Sequence, residues 1–237
     1  MSSQKQDMEA MIAELEASLA DAPPEMRGML EQQIINCRQA IAMLERAEPA
    51  MEQQRATRAP LRDDVRAFFT PEPPVNVGAW LPDDLQKYQV TEDMLRCPQG
   101  AQIYTMDDAF ECAFPPPLGS IPVRHGLSIS FYHHGGLRAQ RFYDHGRLRW
   151  AIEWHPSGKR ESVAFYSDDE PRQHREHGLF TRFAPNGTII AQTYHWHGTK
   201  HGWSKLWEDD GYPIMATLYR EGAATEEYHP TGEHRKF

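Results

Sequence analysis

The side chains best equipped for chemistry are the histidines, and all 12 fall within residues 121–237. His195 and His197 flank Trp196, a spacing that puts both rings on one face of a strand. His201 follows them, and His174 and His177 come shortly before. Imidazoles so spaced bind transition metals. The wider pattern points elsewhere. His125, His177 and His201 each precede a glycine, as do His145 and His197, while His155 and His229 each precede a proline. Residues that recur in this way serve turns and stacking, whereas a metal site occurs once, so neither a metal nor a cofactor is expected. Nucleophile-elbow, phosphate-loop, dinucleotide, HExxH and CxxC patterns are all missing. Asp83-Asp84 and Asp209-Asp210 read as cap and turn residues, and Asp168-Asp169-Glu170 as a solvated loop tip. The chain is therefore read as a binder and not an enzyme. Its candidate contact residues are Trp150, Tyr166, His195, Trp196, His197 and Trp203, because Trp and Tyr bury large area at small entropic cost. Trp196 falls outside the strand alternation and is the expected exposed anchor.

The elements that must position these residues are written in an internal repeat. From Gly126 an aromatic follows at Phe131 and a glycine at Gly135; the same offsets from Gly178 give Phe183 and Gly187, and from Gly202 give Trp207 and Gly211. Variant units start at Arg149, giving Trp154 and Gly158, and at Ala223, giving Tyr228 and Gly232. A second aromatic recurs at Tyr143, Tyr166, Tyr194 and Tyr219, and a closing glycine at Gly146, Gly198 and Gly222. An insertion interrupts the array around 167–176. HPSG, APNG, EDDG and HPTG are tight-turn sequences, and the stretches between them alternate apolar with polar. Period two with a turn every 10–12 residues predicts short antiparallel strands in a meander of hairpins. Trp154 and Trp207 should then face the core.

The segments HGLSISFYHHGG, FYDHG, HGLFTRFAPNG, YHWHG, HGWSKLWEDDG and LYREG resemble the MORN-variant repeat of the bacterial antitoxin-like (YwqK-type) family. The resemblance spans about five units in residues 121–237. It implies an elongated sheet of β-hairpins that binds protein without catalysis, as an antitoxin or immunity protein neutralising a toxin or effector. The alternative it carries is a structural scaffold that self-associates or touches anionic lipid, Arg138, Arg141, Arg147 and Arg149 being a local basic cluster.

Composition divides the remainder. Residues 1–58 contain no Phe, Trp or Tyr, and apolar residues at Met8, Met11, Ile12, Leu15 and Leu19, then Met26, Leu30, Ile34, Cys37, Ile41 and Leu44, form two helical stripes. Pro23 and Pro24 separate them into a helical hairpin, and Pro49 should end or kink the second helix. With so thin a core the hairpin should dock on its own C-terminal part, self-associate into a homo-oligomer, or serve as a partner-binding arm. Residues 59–120 read as an acidic, Pro-containing connector with short elements, including helix starts near Leu61 and Leu81. Fold class is thus α+β. The formal charge is -9, with 10 acidic against 4 basic residues in 61–120, which suits a basic partner such as a nuclease toxin and disfavours nucleic acid. Membrane contact is not expected, since no apolar run reaches the roughly 18 residues of a membrane helix. The start MSSQKQDMEA lacks export features, so a cytoplasmic location is expected. In that compartment Cys97 and Cys112, though able to face each other across a hairpin, should be free thiols.

Overall fold

The computed structural model describes residues 3–58, 60–74, 83–117, 120–167 and 175–237. Two long helices, α1 (Ser3–Asp21) and α2 (Pro24–Ala56), precede short α3 (Asp63–Phe68), a 3-10 turn at Lys87–Gln89 and α4 (Glu92–Leu95). Twelve strands follow as one antiparallel sheet in strict chain order: β1 (Gln102–Met106), β2 (Ala109–Phe114), β3 (Val123–Phe131), β4 (Leu137–Asp144), β5 (Arg147–Trp154), β6 (Arg160–Phe165), β7 (Gly178–Phe183), β8 (Ile189–Trp196), β9 (Thr199–Trp207), β10 (Pro213–Arg220), β11 (Ala223–Tyr228) and β12 (His234–Lys236). The α+β class and the hairpin meander hold. The sheet opens at Gln102, earlier than the repeat, because β1 and β2 pair in sequence with β3.

The two glycine series do different work on the two edges of the ribbon. Along one edge, Gly135, Gly158, Gly187, Gly211 and Gly232 all have φ between 82° and 91°. Each donates its N–H to the carbonyl three residues back, at 2.7–2.9 Å. That is a turn closed by a left-handed residue and a bulge, and the strand register shifts beside Phe131, Trp154 and Phe183 accordingly. Along the opposite edge the tips are two-residue turns, His145-Gly146, His197-Gly198 and Glu221-Gly222, with positive φ at both positions. Each tip glycine donates to a carbonyl two residues before an opening glycine of the preceding hairpin: Gly146 to Arg124, Gly198 to Glu176 and Gly222 to Lys200, at 2.7–3.0 Å. The opening and closing glycines are therefore one cross-strand lock used three times.

Alternation gives the sheet two unlike faces. One presents Leu127, Ile129, Phe131, Ile152, Trp154, Val163 and Trp207, all buried. The other presents Ser128, Ser130, Ser162, Thr193 and Ser204 with the ion pairs Arg124–Glu111 and Arg141–Glu153, each 2.7 Å. The segment expected to be a connector covers the apolar face. It crosses the strands in reverse order: Val65 and Phe69 pack with Ala216, Trp203 and Tyr228, Glu72 lies on β8, Asp83 pairs with Arg160, and Leu85 and Leu95 enter the main core. Cys97 then joins Cys112 of β2 in a disulfide, with Cα atoms 5.4 Å apart. The free-thiol expectation is corrected: it rested on compartment, whereas the strap must end beside the strand that it covers. The acidic tip 168–174 and the Leu81-Pro82 helix start lie outside the described residues.

The helical hairpin folds back onto the chain, but onto the bulged turns and not a sheet face. Asp7 pairs with His155 at 2.7 Å, Glu14 accepts from the His133 amide at 3.0 Å, and Arg58 reaches Glu208 at 2.5 Å. Arg55 pairs with Asp209 and Asp210, so these carboxylates are docking groups as well as turn residues. Helix α2 runs through Pro49 to Ala56, so it does not end there as one of the two expected outcomes had it; Pro49 is exposed, and the turns beyond it are held by Arg55 and Arg58. Among the described residues of the hairpin only Ala22, Leu30 and Ile34 are buried, and Met11 and Met26 remain 43% and 46% exposed. No helix among the described residues is long and apolar enough to cross a membrane.

Two outcomes are expected. Closing a 15-residue loop, the disulfide should stabilise the fold by about 3 kcal/mol on the chain-entropy account. Urea unfolding of C97A/C112A against the oxidised chain measures that difference. His155 lies with Nδ1 on the Asp7 carboxylate and Nε2 at 2.9 Å from the Phe183 carbonyl, so both nitrogens face acceptors. Burial alone would lower its pKa, but the Asp7 hydrogen bond and the Phe183 carbonyl, with Glu161 nearby, raise it on balance. A raised histidine contributes stability that is complete below its unfolded value of about 6.5 and is lost as pH climbs through the folded value. Hydrogen exchange in α1 should accelerate across that window, and D7N should flatten the dependence.

Candidate functional site

The tip edge carries the exposed Trp196 among other rings. Trp150 and Phe165 pair across β5 and β6 at the end of the apolar face, and Phe142 stacks on Trp150 at 5.9 Å with planes 10° apart. His177 follows the interruption after β6 and donates its amide to the Phe165 carbonyl at 2.8 Å, which sets its ring beside the next tip. There Trp196 lies 4.6 Å from His177 and 4.9 Å from His197 between ring centres, and His177 lies 4.9 Å from His197. Trp150, Phe165, His177, Trp196 and His197, with Arg149 and Tyr166, line a cleft of about 620 Å3. Trp196 is 59% exposed at its mouth. Burial holds the Tyr166 phenol above its usual pKa, so it stays a neutral hydrogen-bonding group at pH 7.

Four of the six residues named from sequence thus meet: Trp150, Tyr166, Trp196 and His197. Trp203 does not. It is half-buried beneath the strap, edge-on to Phe68 at 5.0 Å, because its register turns it toward the apolar face. His195 and His197 do not share a strand face. His197 occupies the left-handed tip with φ 49°, outside the alternation, while His195 stays in β8 and pairs with Glu176 at 3.1 Å. Burial lowers the His195 pKa. Trp154 and Trp207 are buried, as their register requires. Sequence reasoning missed Arg149, Phe165 and His177 as cleft residues. Aligning the units on their closing glycines would have placed His177 opposite His197, since His125 stands in the same relation to His145.

A related cluster stands at the preceding tip. His125 and His145 approach to 4.3 Å between ring centres, and Phe114 stacks on His125 at 4.6 Å and 14°. In the place of Trp196 this tip has Asp144, whose carboxylate accepts from His145 Nδ1 at 2.6 Å. That hydrogen bond, with the charges of His145, His125 and Arg149, holds the Asp144 carboxyl below its ordinary range. On the other edge a groove of about 1140 Å3 runs between the hairpin and the bulged turns, floored by Met8, Met11, Leu44, Phe183 and Trp207. Among the described residues, no nucleophile paired with a positioned base lines either cavity.

No family model matches this chain, and no curated protein matches it. Among solved structures, the Glycosylation Associate Protein (Gap123) complex from Streptococcus agalactiae aligns with 61% of this chain and 23% of its own, at 13% identity and TM-score 0.30. A GtfA/B complex bound to UDP and GlcNAc aligns over 60% and 27%, at 15% identity and TM-score 0.31. TarM aligns over 58% and 21%, at 13% identity and TM-score 0.24. The chain spans about a quarter of the length of these proteins. Likeness at that level carries no argument about fold or activity.

Two substitutions separate a core ring from a surface ring. W203A should destabilise the fold by about 3 kcal/mol, as a Trp removed from a packed aromatic cluster does. W196A should change it by less than about 0.5 kcal/mol. Thermal and urea unfolding of both variants check the contrast.

Proposed function

We propose that this chain is a non-enzymatic protein-binding module that uses its tip-edge aromatic cleft to hold a partner, acting as an antitoxin or immunity-type protein. The observation that carries the reading is Trp196, a large ring left exposed and braced by two imidazoles at the mouth of a cleft walled by Trp150, Tyr166 and Arg149. An isolated surface tryptophan is flexible; one packed between rings is prepaid in rotamer entropy and ready to bury its face. Covering the exposed part of such a ring is worth on the order of 3 kcal/mol. The recurrence of the glycine lock at residues 126/146, 178/198 and 202/222 supports the MORN-variant reading, which points the same way. A basic partner, such as a nuclease toxin, suits the net negative charge of residues 1–120.

The scaffold alternative rests on a different observation. Met29, Ile35 and Met43 of α2 are exposed by 44–69% and share about a third of the helix circumference, apolar side chains that self-association through the hairpin would cover. Its lipid version is weakened at one of the four basic residues, Arg141, which is paired with Glu153. Co-expression with the product of each neighbouring gene, followed by affinity capture, tests the first reading. A toxin whose toxicity this chain relieves should be bound about 30-fold more weakly by W196A, equivalent to about 2 kcal/mol. Concentration-dependent oligomers with no captured partner would favour the scaffold.

A further inference from the structure

We propose that His125, Asp144 and His145 form a binding site for one divalent first-row transition-metal ion, of the Zn2+ class, at the β4–β5 tip. One ligand atom from each lies within 4.8 Å of the others. The donor set, two imidazole nitrogens and one carboxylate, is borderline in softness and suits Zn2+, Co2+ or Ni2+ with positions left for water.

The arrangement of lone pairs is what points to a cation. With the ring neutral, the His145 backbone N–H donates to His125 Nδ1 at 3.2 Å, so that nitrogen carries no proton and offers a lone pair. The same nitrogen faces Asp144 Oδ1 at 3.5 Å, and this oxygen already accepts from His145 Nδ1. Two acceptors thus confront each other with no hydrogen between them, which costs energy that a shared cation removes. Ligands held about 2.1 Å from a tetrahedral Zn2+ stand about 3.4 Å apart. The His125–Asp144 pair is already at that separation. The His145–Asp144 pair is closer, at 2.6 Å, and opens by rotation of the His145 ring, whose side chain is 69% exposed. On binding, the ion would replace the His145 Nδ1 proton and the long amide contact to His125. Arg149, whose charge acts on Asp144, and Arg147, paired with Asp144 across β4 and β5, are cations that oppose the ion.

The scaffold for these ligands is rigid. His145 is fixed in the left-handed conformation by the lock between Gly146 and Arg124, and Phe114 walls the ring of His125. The matching positions elsewhere read His177, Trp196 and His197, then His201, Arg220 and Glu221. Recurrence of the histidines is therefore a property of the repeat, while the two-imidazole, one-carboxylate set occurs at this tip alone among the three. An ion here would tie β3 to the β4–β5 turn, independently of partner binding at the next tip.

The test is titration of the chelator-stripped full chain with Co2+, followed by visible absorption, and displacement by Zn2+. One equivalent should bind. D144N, and H145N, which retains a residue tolerant of the left-handed tip, should each weaken binding by about 10- to 100-fold, while H229Q leaves it unchanged. Failure of the parent chain to bind one saturable equivalent overturns the site. Binding by D144N or H145N as tight as the parent's, which would place the ion among other histidines, overturns it equally.

Discussion

An extended segment laid over a buried sheet face brings its own N–H and C=O groups into a layer without water, and every one of them needs a partner. This chain meets that demand with side chains of the sheet. Gln192, buried in β8, accepts from the Glu72 amide at 2.9 Å and donates to the Glu72 carbonyl at 2.7 Å, serving as a one-residue strand for the strap. The Trp207 indole donates to the Phe69 carbonyl at 2.9 Å, and Lys205 donates to the Phe68 carbonyl at 2.6 Å while lying over the Phe68 ring. Lys205 accordingly has a pKa lowered by burial. Tyr194, bonded to the Glu72 carboxylate at 2.5 Å, has its phenol pushed up to about 12. Lys205, at a position where other units carry Ile129 and Ile152, is with Gln192 and Tyr194 the counterpart of a strap that has little secondary structure of its own.

That single attachment organises the rest. A twelve-stranded sheet in one layer cannot hide its apolar face by itself. Once the strap covers that face, the hairpin is left with the bulged turns as its docking surface. There the contacts are polar, through Asp7, Glu14, Arg55 and Arg58, and the hairpin keeps an incompletely buried methionine surface. The opposite edge, with its two-residue tips, is left to present rings to solvent. The division of labour between the edges follows from turn geometry. The longer bulged turns present backbone and carboxylates to the helices, and the tight left-handed tips expose whichever side chains flank the glycine.

Much of this was legible beforehand, and the reasons are local. Glycines at fixed offsets mark positive φ, and strand alternation assigned Trp154 and Trp207 to the buried face correctly. What escaped were relations between residues distant in sequence. Residues 59–97 look like a linker because proline and acidic residues dominate, yet Val65, Phe69, Leu85 and Leu95 are core residues. Their spacing follows no helix or strand period, since each drops into a site set by the sheet beneath it. Trp203 was assigned to a binding surface for the same reason: its register was readable, but nothing local says that Phe68 and Tyr228 cover it.

The amino-acid sequence by itself determined the hairpin of helices, the order and turn types of the repeat strands, and the face on which each alternating residue falls, because these depend on backbone sterics and on neighbours a few residues away. Only the tertiary structure decided that the acidic segment runs back across the strands, that Cys97 meets Cys112, and that Asp144 joins two histidines while Trp196 joins two others. Those juxtapositions are products of closure over long stretches of chain, where the winning contact is set by the shape of the whole sheet and leaves no periodic trace in the residues that make it.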